Sequence, residues 1–234
     1  MQPGVALADL DGNQFLANLE ACAGVYAAAM NPPEEQLPGR HTIMERHAGY
    51  AAFRAVAAIL IPGDDPPALG APATGAAADG GPAARGRSAG RAGTGAAPRI
   101  VGFAYGFRCA AGQWWHDLVS RAAASTLGTR AAAAWFDDSL EIAEVHVLPG
   151  HLGRGTGLAM ILRLTAGRPE RAAVLSTMDA QTRARRLYHG LGFIDLLTGF
   201  EFPGTDLPYA IMGAPLPLPG ASSRPARPDG PSRW

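Results

Sequence analysis

Apolar and polar positions change period along this chain, and the changes mark its elements. Val5 to Leu10 reads as a short edge strand, and Asp11-Gly-Asn13 as a turn and cap. Phe15, Leu16, Leu19, Ala23 and Tyr26 then recur at three- and four-residue steps, which predicts one helix from Phe15 to Met30, stopped by Asn31-Pro-Pro33. A second helix is expected from about His41 to His47, and a strand from Phe53 to Ile61, ended by Pro62-Gly63. Ile100 to Phe107 alternates as a strand, with Gly102 and Gly106 pointing to a bulge or a close neighbour. Gln113 to Trp135 is helical in composition, interrupted at Leu127-Gly128. Arg171 to Thr177 reads as a short buried strand, and Asp179 to Gly192 as a helix with Asp179 as its N-cap. Phe193 to Phe202 and Tyr209 to Gly213 make a last pair of strands.

The stretch from Glu141 to Leu164 is the most informative. Ile142, Val145 and Val147 give it β-branched strand character, and Pro149-Gly150 stops the strand. Gly153, Gly155 and Gly157 keep the following turn free of bulky side chains, and Leu158, Ile161, Leu162 and Leu164 give the next helix an apolar side. The first turn of a helix offers N–H groups without intrahelical partners, and the helix dipole adds positive potential there. A strand, a glycine turn and a helix in this order therefore suit an anion, although a plain tight connection has the same pattern. A P-loop is excluded, because it needs a lysine and this chain has none. The spacing of the glycines is also wrong for a dinucleotide fold.

Composition narrows the field further. A chain of 234 residues with 47% hydrophobic content can bury one good core. Formal net charge is zero, so there is no general electrostatic case for nucleic acid or a membrane surface. Asp64 to Pro98 is almost entirely Gly, Ala, Pro, Arg and small polar residues, and reads as a disordered insertion between strands; Arg85, Arg87 and Arg91 lie in it. Residues 217–234 read as a disordered tail, which leaves one domain over 1–216. Cys22 and Cys109 are far apart and read as free thiols with no metal spacing. No basic region followed by an apolar run opens the chain, and no apolar stretch has membrane-span length, so a cytoplasmic protein is expected.

Two segments carry a specific resemblance. Val147-Leu-Pro-Gly-His-Leu-Gly-Arg-Gly-Thr-Gly157 resembles the coenzyme motif of the GNAT superfamily of N-acetyltransferases, V-x-P followed by Q/R-x-x-G-x-G/A. Ala184-Arg-Arg-Leu-Tyr-His-Gly-Leu-Gly-Phe193 resembles that family's second signature, A-x-x-L-Y-x-x-L-G-F, and one strand separates the two as in the family. The resemblance implies an α/β (α+β) fold. Its central mixed, mostly antiparallel sheet would have two splayed parallel strands and flanking helices. It implies acetyl-CoA as cosubstrate, no metal, an amine acceptor, and a monomer or homodimer.

Carried over by position, the resemblance puts the coenzyme diphosphate on the backbone of Leu152, Gly153, Arg154, Gly155, Thr156 and Gly157, and the pantetheine arm along Val145 and Val147. Tyr188 takes the place of the general acid and Glu141 that of the general base. Glu144 is the rival base, placed by strand alternation on the other face unless a bulge intervenes; His146 reads as structural. Leu152 stands where the family has Gln or Arg, and Gln181 where many members have Asn, so Gln181 keeps an amide toward the coenzyme on a longer arm. The regions Arg46 to Tyr50 and Trp114 to His116, with the final strands, are the expected acceptor walls, and the Trp114-Trp115 pair reads equally as a core anchor. A non-catalytic acyl-CoA-binding module and a nucleotide-binding protein are the alternatives on the same residues.

Overall fold

The structure is a computed structural model that describes residues 4–61 and 97–220. Of the insertion expected at 64–98 only 97 and 98 are described, and of the tail only 217–220. The arginines of the insertion therefore lie outside the described residues.

The elements run β1 (Val5–Leu10), α1 (Gly12–Ala17), α2 (Leu19–Met30), α3 (Leu37–Ala48), β2 (Arg54–Leu60), β3 (Arg99–Arg108), α4 (Trp114–Leu127) and α5 (Thr129–Phe136). They continue with β4 (Ser139–Val147), α6 (Thr156–Thr165), β5 (Ala172–Met178), α7 (Arg183–Gly190), β6 (Ile194–Glu201) and β7 (Pro208–Pro215). The strands form one 7-stranded sheet in the order β1-β2-β3-β4-β5-β7-β6. Every neighbouring pair is antiparallel except β4 and β5. This is the mixed, mostly antiparallel sheet that the family resemblance implies, with β1 at its edge.

Helices cover both faces. α6 and α7 pack on one, over a core that includes Val56, Val101, Leu140, Ile142, Met160, Leu175 and Met212. On the other face α1, α2 and α3 cover the β1–β4 half, around Phe15, Phe103, Tyr105 and Phe107. α4 and α5 cover the β5–β7 half, around Val119, Phe136, Val174 and Ile211. A seam between these two helical groups lies over the β4–β5 junction.

Several boundaries differ from the expectations. The helix expected over Phe15–Met30 is two, divided at Asn18, whose amide caps α1 by donating to Leu16 and Phe15 carbonyls. Asp11 opens α1 with a capping box to Gln14, so helix starts earlier than periodicity alone suggests. α3 is longer than His41–His47, because Pro38 is tolerated in a first turn, where its missing N–H has no intrahelical partner to lose. Thr182, not Asp179, caps α7, accepting from Arg185 N. Asp179 is engaged elsewhere: it accepts from Gly199 N at 2.8 Å and pairs with Arg185.

Among the described residues no helix is long and apolar enough to cross a membrane, and no His/Cys/Asp/Glu cluster could hold a metal ion. Cys22 and Cys109 are buried and unpaired, and burial pushes the Cys22 thiol up to about 12.

Candidate active site

β4 and β5 pair only over Ser139↔Ala172, Leu140↔Ala173 and Glu141↔Val174. Beyond Glu141 they diverge. Leu148 N donates to Val101 O on β3, so backbone alternation turns the polar groups of Val145 and Val147 toward the opposite edge. That edge has lost its β5 partner, which leaves an extended strand edge open to an extended ligand.

A bulge decides what faces the seam. The β3–β4 register runs Phe103↔His146, Tyr105↔Glu144, then jumps to Gly106↔Ile142 and Phe107↔Glu141. Ala143 is the extra residue, and it resets the side-chain alternation. Leu140, Ile142, Val145 and Val147 therefore all point to the α6 side, while Glu141, Glu144 and His146 share the opposite face with the aromatic row Phe103, Tyr105 and Phe107. Glu144 is thus not turned away from Glu141. Gly106 permits this: a Cβ there would lie 2.4 Å from Glu141 O. Gly106→Ala is accordingly expected to lower stability by about 1–3 kcal/mol, the usual cost of overpacking. Urea unfolding measures it, and an unchanged midpoint would show that the bulge does not need a glycine.

Both carboxylates are buried, at 4% exposure for Glu141 and 9% for Glu144. Arg40 Nη1 on α3 donates to Glu144 Oε1 at 2.8 Å, and His146 Nε2 hydrogen-bonds Glu144 Oε2. Burial pushes Glu144 up, but the His146 hydrogen bond and the charges of His146 and Arg40 outweigh it and hold the group below its ordinary range. Glu141 has no such partners among the described residues. Its Oε2 is buried without a hydrogen bond among the described residues. Burial first, and the charge of Glu144 second, push Glu141 up to about 8.

Around the pair stand residues that sequence reasoning did not assign. The Arg40 guanidinium lies 5.0 Å from the Tyr26 ring centre, and Tyr26 meets His146 edge-on at 5.1 Å. His47 Nδ1 is 3.1 Å from Tyr105 Oη, and burial pushes His47 down to about 4, leaving it neutral. His47 and Tyr50 fall within the expected acceptor wall. The other expected wall, Trp114 to His116, has different neighbours: Trp115 packs on Phe136 and donates to Ser176 Oγ, with the α4–α5 core, while Trp114 lies against Phe202 at the surface. An open groove of about 660 Å³ runs between α2 and α3, lined by Tyr26, Arg40, Glu20, Glu34 and His41.

Tyr188 reaches the pair's neighbourhood from α7. It is 8% exposed, packs against Phe193, and is pushed above the usual phenol range first by burial and then by the Glu144 charge. It therefore keeps its proton at neutral pH.

The glycine turn has free donors. Gly153 and Gly155 hold φ of +75° and +78°, a backbone that favours glycine, and Gly155 is the N-cap of α6. The N–H groups of Gly153, Arg154, Gly155, Thr156 and Gly157 have no acceptor among the described residues. Leu152 differs from expectation: its N–H donates to Pro149 O at 3.3 Å, because a 3-10 turn over Pro149–His151 claims it. The run of free backbone donors thus begins at Gly153. The Thr156 hydroxyl is buried without a partner among the described residues. The charges of Arg154 and Arg99 both act on His151, which places two cations beside the turn. Gln181 is exposed just before α7; its carbonyl accepts from Arg186. Orphan amides, an orphan hydroxyl and nearby arginines fit a diphosphate.

No protein-family model matches this chain. A GCN5-like protein acetyltransferase of Mycobacterium tuberculosis, Rv2170, is 33% identical over 226 residues, which is 92% of this chain and 99% of that protein. Arabidopsis thaliana NAA60, solved in complex with a bisubstrate analogue, superposes with a TM-score of 0.52 at 13% identity, covering 91% of this chain and 99% of that one. An acetyltransferase of the GNAT family from Desulfovibrio desulfuricans superposes with a TM-score of 0.51 at 13% identity, over 90% and 98% of the respective chains. At these identities the two structures show the shared fold.

Proposed function

This chain belongs to the GNAT superfamily of acetyltransferases, and on that premise we propose that it moves an acetyl group from acetyl-CoA to a primary amine by direct attack. The observation that carries the reading is the splay itself: past Glu141 the edge of β4 is open, with a carboxylate pair on one side and a protonated phenol on the other.

In this reading acetyl-CoA supplies an activated acyl thioester. The amides of Gly153 to Gly157 hold the diphosphate, and the β4 edge at Val145 and Val147 aligns the pantetheine arm. Binding the coenzyme through backbone groups fixes its reactive end without constraining the acceptor. The acceptor approaches by the groove between α2 and α3. Glu141 takes the amine proton, the N–C bond forms as the C–S bond breaks, and Tyr188 gives its proton to the departing sulfur. Burial of both groups matches these roles, since it raises the proton affinity of the base and keeps the acid loaded.

Titration calorimetry with acetyl-CoA tests the cradle, and release of free CoA thiol in the presence of an amine panel tests the transfer. Tyr188→Phe is expected to bind acetyl-CoA with unchanged affinity while kcat falls by about 10²-fold, the low end for an acid–base group because a thiolate departs readily. No heat with millimolar acetyl-CoA would overturn the assignment. Unchanged turnover in Tyr188→Phe would remove the phenol from the chemistry.

A further inference from the structure

Two buried carboxylates on one sheet face cannot both ionise cheaply, so something must decide which one carries the charge. The groups facing the pair are unequal. From α2 come Tyr26 and Cys22, from α3 Arg40 and His47, from β3 Tyr105, from just past β3 Cys109 (beside Glu141, its thiol pushed up by burial), from β4 His146, and from α7 Tyr188. Tyr105, Tyr188 and Cys22 are neutral and held so by burial, and His47 is neutral as well. His146 hydrogen-bonds Glu144, and Arg40 is the permanent cation in contact with the pair among the described residues, its bond also going to Glu144. Its side chain is 36% exposed and lines the α2–α3 groove, so one residue joins the groove to the pair.

We propose that Arg40 is a positioning residue that fixes the pair's negative charge on Glu144 and so leaves the proton on Glu141. Its guanidinium, steadied over the Tyr26 ring, makes Glu144 the fixed carboxylate and withholds from Glu141 any cation of its own. Charge and proton are thereby separated across the bulge. The inference rests on the proposed function for its catalytic meaning, since Glu141 becomes a proton acceptor only where it ionises, near pH 8, but its test involves no acetyl transfer.

The test follows the carboxyl carbons of the full-length protein, carbon-13 labelled at glutamate, through pH, with Glu141 and Glu144 assigned from their Gln variants. In Arg40→Met the Glu144 midpoint is expected to rise by about 1–3 pH units, the effect of losing a contacting cation. Arg40→Lys, which keeps the charge, is expected to recover much of that shift. In Glu144→Gln the Glu141 midpoint is expected to drop below about 8, because the charge beside it is gone. A purely structural Arg40 would leave the Glu144 midpoint in Arg40→Met where it is in the wild type. A Glu144 midpoint unaltered in Arg40→Met, or a Glu141 midpoint unaltered in Glu144→Gln, overturns the proposal. Either result leaves the acetyl-CoA reading untouched, since calorimetry and thiol release decide that separately.

Discussion

Glu141→Gln is expected to lower kcat by about 10²–10⁴-fold, the range for loss of a general base, with acetyl-CoA affinity preserved. In the wild type kcat/KM should climb about tenfold per pH unit below pH 8 and level off there, because only the ionised carboxylate accepts a proton. The variant should lose that limb. A pH profile of both proteins checks this, and a limb that survives in the variant would assign the base elsewhere.

The same substitution has an opposite effect on stability. The folded-state value of Glu141, about 8, lies above its ordinary 4.5. Between those two pH values the folded protein holds a proton that the unfolded chain has released, so this group's contribution is present below pH 4.5 and is lost as pH rises through 8. The slope is about 1.4 kcal/mol per pH unit. A neutral amide carries no such liability. Glu141→Gln should therefore melt higher than wild type at pH 8 and near it at pH 4.5, a gain in stability bought by loss of function. Thermal melts at the two pH values decide it; a variant less stable at pH 8 would contradict the burial of an unpartnered carboxyl.

The second large effect lies away from the chemistry. Arg168 and Glu170, between α6 and β5, form a bidentate pair at 3.0 and 2.7 Å with side chains only 5% and 0% exposed. Arg168 also donates to Ala52 O at 2.7 Å, tying this connection to the turn before β2. Glu170→Ala leaves a buried guanidinium without its counter-ion and is expected to cost about 3–5 kcal/mol. In a chain of this length that lowers the melting temperature by on the order of 10 °C. The double variant Arg168→Met, Glu170→Leu should recover most of the loss, because no charge is then buried. Denaturant unfolding of the single and double variants separates the two. A loss in Glu170→Ala under about 1 kcal/mol would mean the guanidinium finds water.

The glycine turn, the strand before it and the helix after it were legible because local chemistry specifies them: β-branched residues, a proline stop, and glycines at φ that other residues avoid. The second signature also marked the helix that carries Tyr188. Boundaries were less legible where side chains chose partners far along the chain. Asp179 has the right identity for a cap, yet Gly199 and Arg185 draw it elsewhere. Gly106 announced a close neighbour, but not that the neighbour was Glu141 O across the ladder.

The carboxylate pair shows the division most clearly. One-dimensional alternation separates Glu141 from Glu144, and a single unpaired residue on β4 reunites them. Arg40 and Tyr26 carried no local mark of their place, since each is ordinary on a helix and comes beside the carboxylate pair only when α2 and α3 fold over β4. The sequence by itself determined the strand-turn-helix and its backbone donors, because those depend on neighbours a few residues away. Only the tertiary structure decided that Arg40 meets Glu144 and leaves Glu141 without a cation in contact among the described residues, because burial and Coulomb interaction act through space, between residues as far apart in the chain as 40 and 144.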